Sequence, residues 1–336
     1  MKAARLFGYH EPLKIVEVDY PRITKPDHVV VRVKGAGVCH TDLHVVEGMW
    51  QVSFPRTLGH ENAGIVEEVG DAVEGFKRGD PVIIHPAMTD GVCRACRAGE
   101  DMYCENLEFV GMGRDGGFAE YMLTSARSLV KAEGLDLAEI APMADAGLTV
   151  MRAVKKASIG LYPGSFVAVV GIGGLGHIAV QLLKLMSSAY IVAIDVVEGK
   201  LRLAEQLGAD YVVNAREDPV RQIFEITGRR GVNVAMDLVG VQSTHDTCIR
   251  ILRKGGKVVV VGYGGVINVK SQDMIANELT VEGSLVGNYL ELADLVELAR
   301  QGKVKLVTKR FPLERVNEAL NMLKTGELVG RAVLTP

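Results

Sequence analysis

Three of the five cysteines fall in one short stretch, residues 90–104, which reads DGVCRACRAGEDMYC. Cys93 and Cys96 form a C-x2-C pair and Cys104 follows close behind. Thiolates at that spacing bind zinc, yet a structural zinc takes four ligands in a tetrahedron. Either the fourth ligand is missing or another residue type supplies it. A second set of donors stands apart: Cys39 in GVCHTDLH (37–44) and His60 in GHENAGIVEEVGDAV (59–73). Both are good zinc ligands, but a cysteine and a histidine 21 residues apart fit a buried thiol and a satisfied core imidazole equally well. A third signature, VAVVGIGGLGHIAV (167–180), sets Gly171, Gly173 and Gly176 between an apolar strand and a helix. There the first glycine allows a tight turn, the second admits a pyrophosphate to the backbone, and the third permits close helix–strand packing. The helix N-terminus that follows stabilises phosphate charge. Asp195 ends the next strand, YIVAID, 19 residues after Gly176. A carboxylate there accepts from an adenosine ribose and repels a 2′-phosphate, which predicts NAD over NADP. Lys200 and Arg202 lie near enough to weaken that discrimination.

These residues need elements to hold them. Up to about residue 140 the chain reads as β-rich, with HVVVRVKGAGV (28–38), AGIVEEVG (63–70) and DPVIIHP (80–86) separated by Gly, Pro and Asp. From 147 to 284 apolar strands alternate with amphipathic stretches, the pattern of a parallel sheet covered by helices on both faces. In that run THDTCIRILRKGG (244–256) reads as helical and holds Cys248 as a packing residue. Two further helices, ELADLVELARQG and LERVNEALNMLKTG, and a last strand GRAVLTP complete the chain. The expected fold class is α/β: a β-rich domain from residues 1–146 and 285–336, and a doubly wound Rossmann domain over 147–284.

With 336 residues, 48% hydrophobic and 24% charged, the chain exceeds one compact core and predicts two domains. A net charge of −3 gives no reason to expect a nucleic-acid partner. The opening residues do not read as a signal peptide, and no apolar run is long enough to cross a membrane. Clustered thiols at metal spacing fit a cytoplasmic protein better than a disulfide framework.

The stretch 59–73 has the form G-H-E-x2-G-x5-G-x2-V. Together with the glycine-rich turn it resembles the zinc-containing medium-chain alcohol dehydrogenase family, and the resemblance spans essentially the whole chain. It implies a GroES-like fold for the β-rich domain. It makes Cys39 and His60 ligands of a catalytic zinc and puts the third ligand in APMADAGLTV (141–150) at Asp145, where many relatives have cysteine. A helix N-cap is the other reading of Asp145. Thiolate, carboxylate and neutral imidazole balance a divalent zinc and leave a fourth position open, as catalytic zinc requires. The resemblance further implies Thr41 and His44 as a proton relay, Asp42 as the residue orienting a ligand histidine, and Glu61 as a carboxylate behind the metal. An unengaged surface histidine is the alternative for His44. His40 and Arg331 match cofactor-phosphate positions and Thr149 a nicotinamide-facing one; Gly174, Leu175, Lys200 and Gly262 are grouped with the cofactor contacts.

The family's second zinc lobe has C-x2-C-x2-C-x7-C spacing. Its last three positions fall on Cys93, Cys96 and Cys104 and its first on Asp90, so the missing ligand is expected to be an aspartate and the chain to hold two zinc ions. The implied activity is hydride transfer between NAD and a primary or secondary alcohol, giving an aldehyde or ketone. Only 15 residues separate His44 from His60, with one large aromatic, Trp50, which suits a compact apolar pocket. Polyol, sugar or threonine dehydrogenase is the alternative within the family, and a non-catalytic cofactor-binding protein the alternative outside it. The resemblance also implies a homo-oligomer, dimer or tetramer, with LTVEGSLVGN (279–288) as a pairing edge.

Overall fold

The computed structural model describes every residue, Met1–Pro336. The chain forms two compact units: Met1–Leu148 with Gly287–Pro336, and Thr149–Val286.

In the first unit strand β1 (Lys2–Leu6) pairs antiparallel with β2 (Lys14–Glu17). The long β3 (His28–Val38) runs directly into helix α1 (His40–Val46), and the short β4 (Arg56–Thr57) returns to β1. β5 (Glu61–Val69), β6 (Pro81–Ile84) and β7 (Ala87–Met88) follow, then helix α2 (Arg94–Arg97) and β8 (Glu108–Phe109). β9 (Tyr121–Ser125), β10 (Leu129–Lys131) and α3 (Leu137–Ile140) close this part, and α4 (Ala146–Ser158) begins in it and passes into the second unit at Thr149. β3 pairs with β5 and β9, and its apolar, β-branched residues are buried along most of its length.

The second unit alternates strand and helix. In order come β11 (Phe166–Val170), α5 (Gly176–Met186), β12 (Tyr190–Asp195), α6 (Glu198–Gln206) and β13 (Tyr211–Asn214). Then follow α7 (Pro219–Ile226), β14 (Val232–Asp237), α8 (Gln242–Arg250), β15 (Leu252–Val260), α9 (Ser271–Asn277) and β16 (Thr280–Gly283). The sheet is parallel, ordered β13-β12-β11-β14-β15-β16. Strand order reverses at β11, and ligands of open α/β sheets bind beyond the strand C-termini at that switch point. The expected helix over 244–256 is corrected: α8 stops at Arg250, because Leu252 already pairs with Val232 and Ile251 O accepts from Val232 N at 2.8 Å.

Back in the first unit are α10 (Tyr289–Arg300), β17 (Thr308–Pro312), α11 (Val316–Lys324) and β18 (Arg331–Thr335). β18 lies antiparallel on β3, which brings Arg331 near the β3–α1 junction. One apolar core gathers Val29, Val31, Leu58, Val66 and Phe118 with Phe311 and Leu334; the second unit has its own, built on Ala168, Val192, Ile194 and Val258.

Candidate metal and cofactor sites

Cys39 is the N-cap residue of α1, so its thiol projects where strand turns into helix. Asp42 Oδ2 accepts from Cys39 N at 2.9 Å, and its Oδ1 lies 3.5 Å from His60 Nδ1. One buried carboxylate thus caps the helix and faces the imidazole. An Nδ1 proton directed at Asp42 leaves the Nε2 lone pair free, the arrangement found behind metal-bound histidines. Nε2 lies 3.5 Å from Asp145 Oδ2, outside hydrogen-bond geometry, and is buried without a hydrogen-bond partner.

Asp145 stands just ahead of α4, and its Oδ2 is 4.0 Å from Cys39 Sγ. Ligand atoms of Cys39, His60, Glu61 and Asp145 all lie within 4.8 Å of one another. Burial opposes charge on His60, but Asp42 and the hydrogen-bonding reach of Asp145 and Asp42 hold it well above the ordinary imidazole range. So much negative charge around a sequestered ring calls for a cation. A thiol, an imidazole with an orphaned nitrogen and a carboxylate are a donor set that fits zinc.

Glu61 is fully buried and pairs with the Arg331 guanidinium, which is 4% exposed. Burial pushes the Glu61 carboxyl upward and Arg331 pulls it back; because an arginine keeps its proton, the two form an ion pair. Glu61 Oε1 also accepts from Ala146 N at 3.2 Å, tying β5 to the start of α4. Gly37 makes this possible: a Cβ there would stand 2.0 Å from Glu61 Oε2. Nothing local in the sequence marked the Glu61–Arg331 pair or the need for Gly37, since the partners meet through strand pairing of β3 with β5 and β18. Thr41 Oγ1 lies 3.6 Å from Cys39 Sγ. His44, on the same helix, is half-buried, and burial lowers its pKa, favouring the neutral imidazole. His40 is exposed, its ring 6.5 Å from that of His44.

The second cluster joins Asp90, Cys93, Cys96 and Cys104, whose ligand atoms also lie within 4.8 Å of one another. Asp90 Oδ1 accepts from Cys93 N and Val92 N at 3.0 and 2.8 Å, and Oδ2 from Asn106 Nδ2 at 2.8 Å. These donors hold the Asp90 carboxyl well below its usual range. The backbone N–H groups of Cys96 and Glu105 lower the Cys93 thiol, whereas burial and the two neighbouring thiols push Cys96 up to about 12. Thiols crowded this closely resist joint ionisation unless a cation binds them, and Cys3Asp is a donor set zinc accepts. Arg127 braces the lobe through Cys96 O at 3.2 Å and Asp101 Oδ1 at 2.7 Å.

In the second unit the glycine-rich turn joins β11 to α5. Gly171 has φ +93°, which an L side chain rarely adopts, and a Cβ on Gly176 would stand 2.1 Å from Gly171 O. Gly173 faces open space, with no atom within 4 Å of a Cβ built there. The fit to a phosphate-bearing dinucleotide is therefore good: a pinned turn, an unobstructed backbone and a helix N-terminus. Gly174 and Leu175 complete the turn. Asp195 is 9% exposed; its Oδ2 accepts from Ile172 N at 2.7 Å and its Oδ1 from Val197 N at 2.9 Å, so it also fixes the turn. Lys200 lies on α6, Gly262 follows β15 and packs on the Val239–Gly240 backbone, and Thr149 is half-buried on α4.

Residues 25–134 match the family described as alcohol dehydrogenase GroES-like domain, and residues 174–301 the family described as zinc-binding dehydrogenase. An NAD-dependent alcohol dehydrogenase of Sulfurisphaera tokodaii is 40% identical, with all of both chains covered. The crystal structure of the alcohol dehydrogenase from Aeropyrum pernix is 57% identical, covers all of both chains and superposes with a TM-score of 0.98. A D-arabinose 1-dehydrogenase (NADP(+)) of Saccharolobus solfataricus is 38% identical over 100% of this chain and 97% of its own.

Proposed function

The chain belongs to the zinc-containing medium-chain alcohol dehydrogenase family, and on that premise we propose that it transfers a hydride between a primary or secondary alcohol and NAD, giving an aldehyde or ketone. The observation that carries this reading is the Cys39–His60–Asp145 cluster, half-buried at Cys39 and Asp145 and fully buried at His60, whose Nε2 has no hydrogen-bond partner.

We assign Cys39, His60 and Asp145 as ligands of a catalytic zinc and Asp90, Cys93, Cys96 and Cys104 as ligands of a structural one, two ions per chain. When bound, zinc supplies Lewis acidity to a substrate oxygen and NAD supplies the hydride acceptor. Asp42 keeps the His60 ring turned with Nε2 toward the cluster. The Thr41 hydroxyl, beside Cys39 Sγ, takes the alcohol proton, and His44, held neutral by burial, receives it. Glu61 stands behind the three ligands, its charge offset by Arg331.

For the cofactor, Gly171, Gly173, Gly174, Leu175 and Gly176 cradle the pyrophosphate, and Asp195 favours NAD over NADP. His40, Thr149, Lys200, Gly262 and Arg331 are assigned as supporting contacts. Residues 1–146 with 285–336 form the catalytic domain and 147–284 the dinucleotide-binding domain. A cytoplasmic homo-oligomer, most simply a tetramer, completes the reading.

The sugar dehydrogenase relative, at 38% identity, stands near the Sulfurisphaera tokodaii alcohol dehydrogenase at 40%, though below the Aeropyrum pernix enzyme at 57%, and supplies the second reading. Trp50 and the short His44–His60 segment favour a compact apolar substrate over one with several hydroxyls. The test is formation of reduced nicotinamide across a panel of alcohols, polyols and aldoses with NAD and with NADP, before and after chelation. The expected result is turnover of simple alcohols with NAD, lost on chelation and restored by zinc. Turnover of aldoses alone would favour the second reading, and no turnover by a zinc-loaded protein would defeat both.

A further inference from the structure

At the opposite end of β11 from the glycine-rich turn lies a cavity of about 310 Å³, lined by Tyr162, Phe166, Arg230, Asn233, Arg253 and Lys254 with Gly164 and Gly231. Gly171 follows the last residue of β11 and Phe166 is its first, so the length of a five-residue strand, roughly 16 Å, separates the two places. Three cationic side chains line the cavity and no carboxylate does. None of the three makes an ion pair; Arg230 Nε donates to Thr227 O and Arg253 Nη1 to Lys254 O, both backbone carbonyls.

Two lining donors are buried and unsatisfied. Asn233 is 7% exposed, and its Oδ1 accepts from Phe166 N at 3.1 Å. That bond fixes the amide orientation, because an amide nitrogen cannot accept it, and it leaves Nδ2 without an acceptor. Arg253 Nε is likewise buried with no partner. Buried donors are normally satisfied, so two orphans on one carboxylate-free, cationic cavity need an acceptor.

We propose that this cavity binds a phosphate group, at a site separate from the cofactor's. Its oxygens accept from Asn233 Nδ2 and Arg253 Nε, Arg230 and Lys254 supply the remaining countercharge, and the exposed Tyr162 offers an aromatic ring to whatever carries the phosphate. The source is either the free ion or a phosphomonoester with a flat substituent.

Calorimetric titration of the zinc-loaded protein, saturated with NAD to occupy the glycine-rich turn, tests this with inorganic phosphate and phenyl phosphate in parallel. The expected result is binding of at least one. Tighter phosphate assigns the free ion; tighter phenyl phosphate assigns a monoester seated against Tyr162. Arg230→Gln and Lys254→Gln, both at exposed positions, should each weaken it about tenfold, the effect of one charge-assisted hydrogen bond. Asn233→Asp keeps the acceptor for Phe166 N, so the fold is retained, and turns the facing donor into a carboxylate that repels the anion. It should abolish binding while leaving alcohol oxidation unchanged. Binding of neither probe, or binding that survives all three substitutions, overturns the proposal.

Discussion

His60 shows how single side chains are assigned work by their neighbours. Asp42 faces Nδ1 and caps α1 with its other oxygen, which leaves Nε2 buried and unclaimed beside Asp145 and Cys39. The two aspartates, Asp145 and Asp90, stand where many members of the family have cysteine. Cysteine spacing alone could not find them; family motif positions could, because a carboxylate keeps the ligand charge. The Glu61–Arg331 pair escaped the sequence altogether: 270 residues separate the partners, and only strand pairing joins them. The sequence offers Asp195 as a ribose acceptor, and nothing in it marks the carboxylate that also holds Ile172 N and Val197 N. Losing both functions, Asp195→Ala should weaken NAD by about tenfold or more, the range expected for a hydrogen bond to a charged group. It should also narrow the gap between NAD and NADP, read from KM for each cofactor. An unchanged preference would remove Asp195 as the determinant.

Among the elements, the cysteine-rich lobe around α2 is the least regular and depends most on side chains. Its helix has four residues, too short to persist by itself, and its thiols gain cooperation only from a shared cation. The lobe also reaches beyond itself within the first unit: Asp101 takes Arg127 and accepts from Tyr289 N at the start of α10 at 3.4 Å. Strand and helix types were mostly readable from period and β-branching, whereas the early end of α8 was not. Its apolar pattern continues past Arg250, and only pairing of Leu252 with Val232 draws the chain into β15. For the lobe, Asp90→Ala should cut zinc content from two ions per chain to one and lower the thermal midpoint. The shift should be about 2–4 °C for each kcal/mol of metal stabilisation withdrawn. Metal analysis and a melting curve check it; full zinc content with an unchanged midpoint would show that Asp90 is not a ligand.

Taken whole, the chain separates its chemistry into two units of different texture. The β-rich unit carries both donor clusters, and the parallel sheet carries the glycine-rich turn at its switch point. That division was legible because a buried parallel strand and a half-exposed antiparallel one differ in residue pattern. No helix is long and apolar enough to cross a membrane. The phosphate cavity lay beyond sequence reading, since Asn233 and Arg253 meet only when β14 and β15 pair. The central claim is that alcohol oxidation runs on a metal held by Cys39, His60 and Asp145. Its most direct test is alcohol-dependent NAD reduction by Asp145→Ala, with NAD affinity measured on the same preparation. The account predicts loss of turnover by about a thousandfold or more, as expected when electrostatic stabilisation of the reacting oxygen is removed, with NAD binding nearly intact. A variant that keeps both its zinc and its turnover would contradict it.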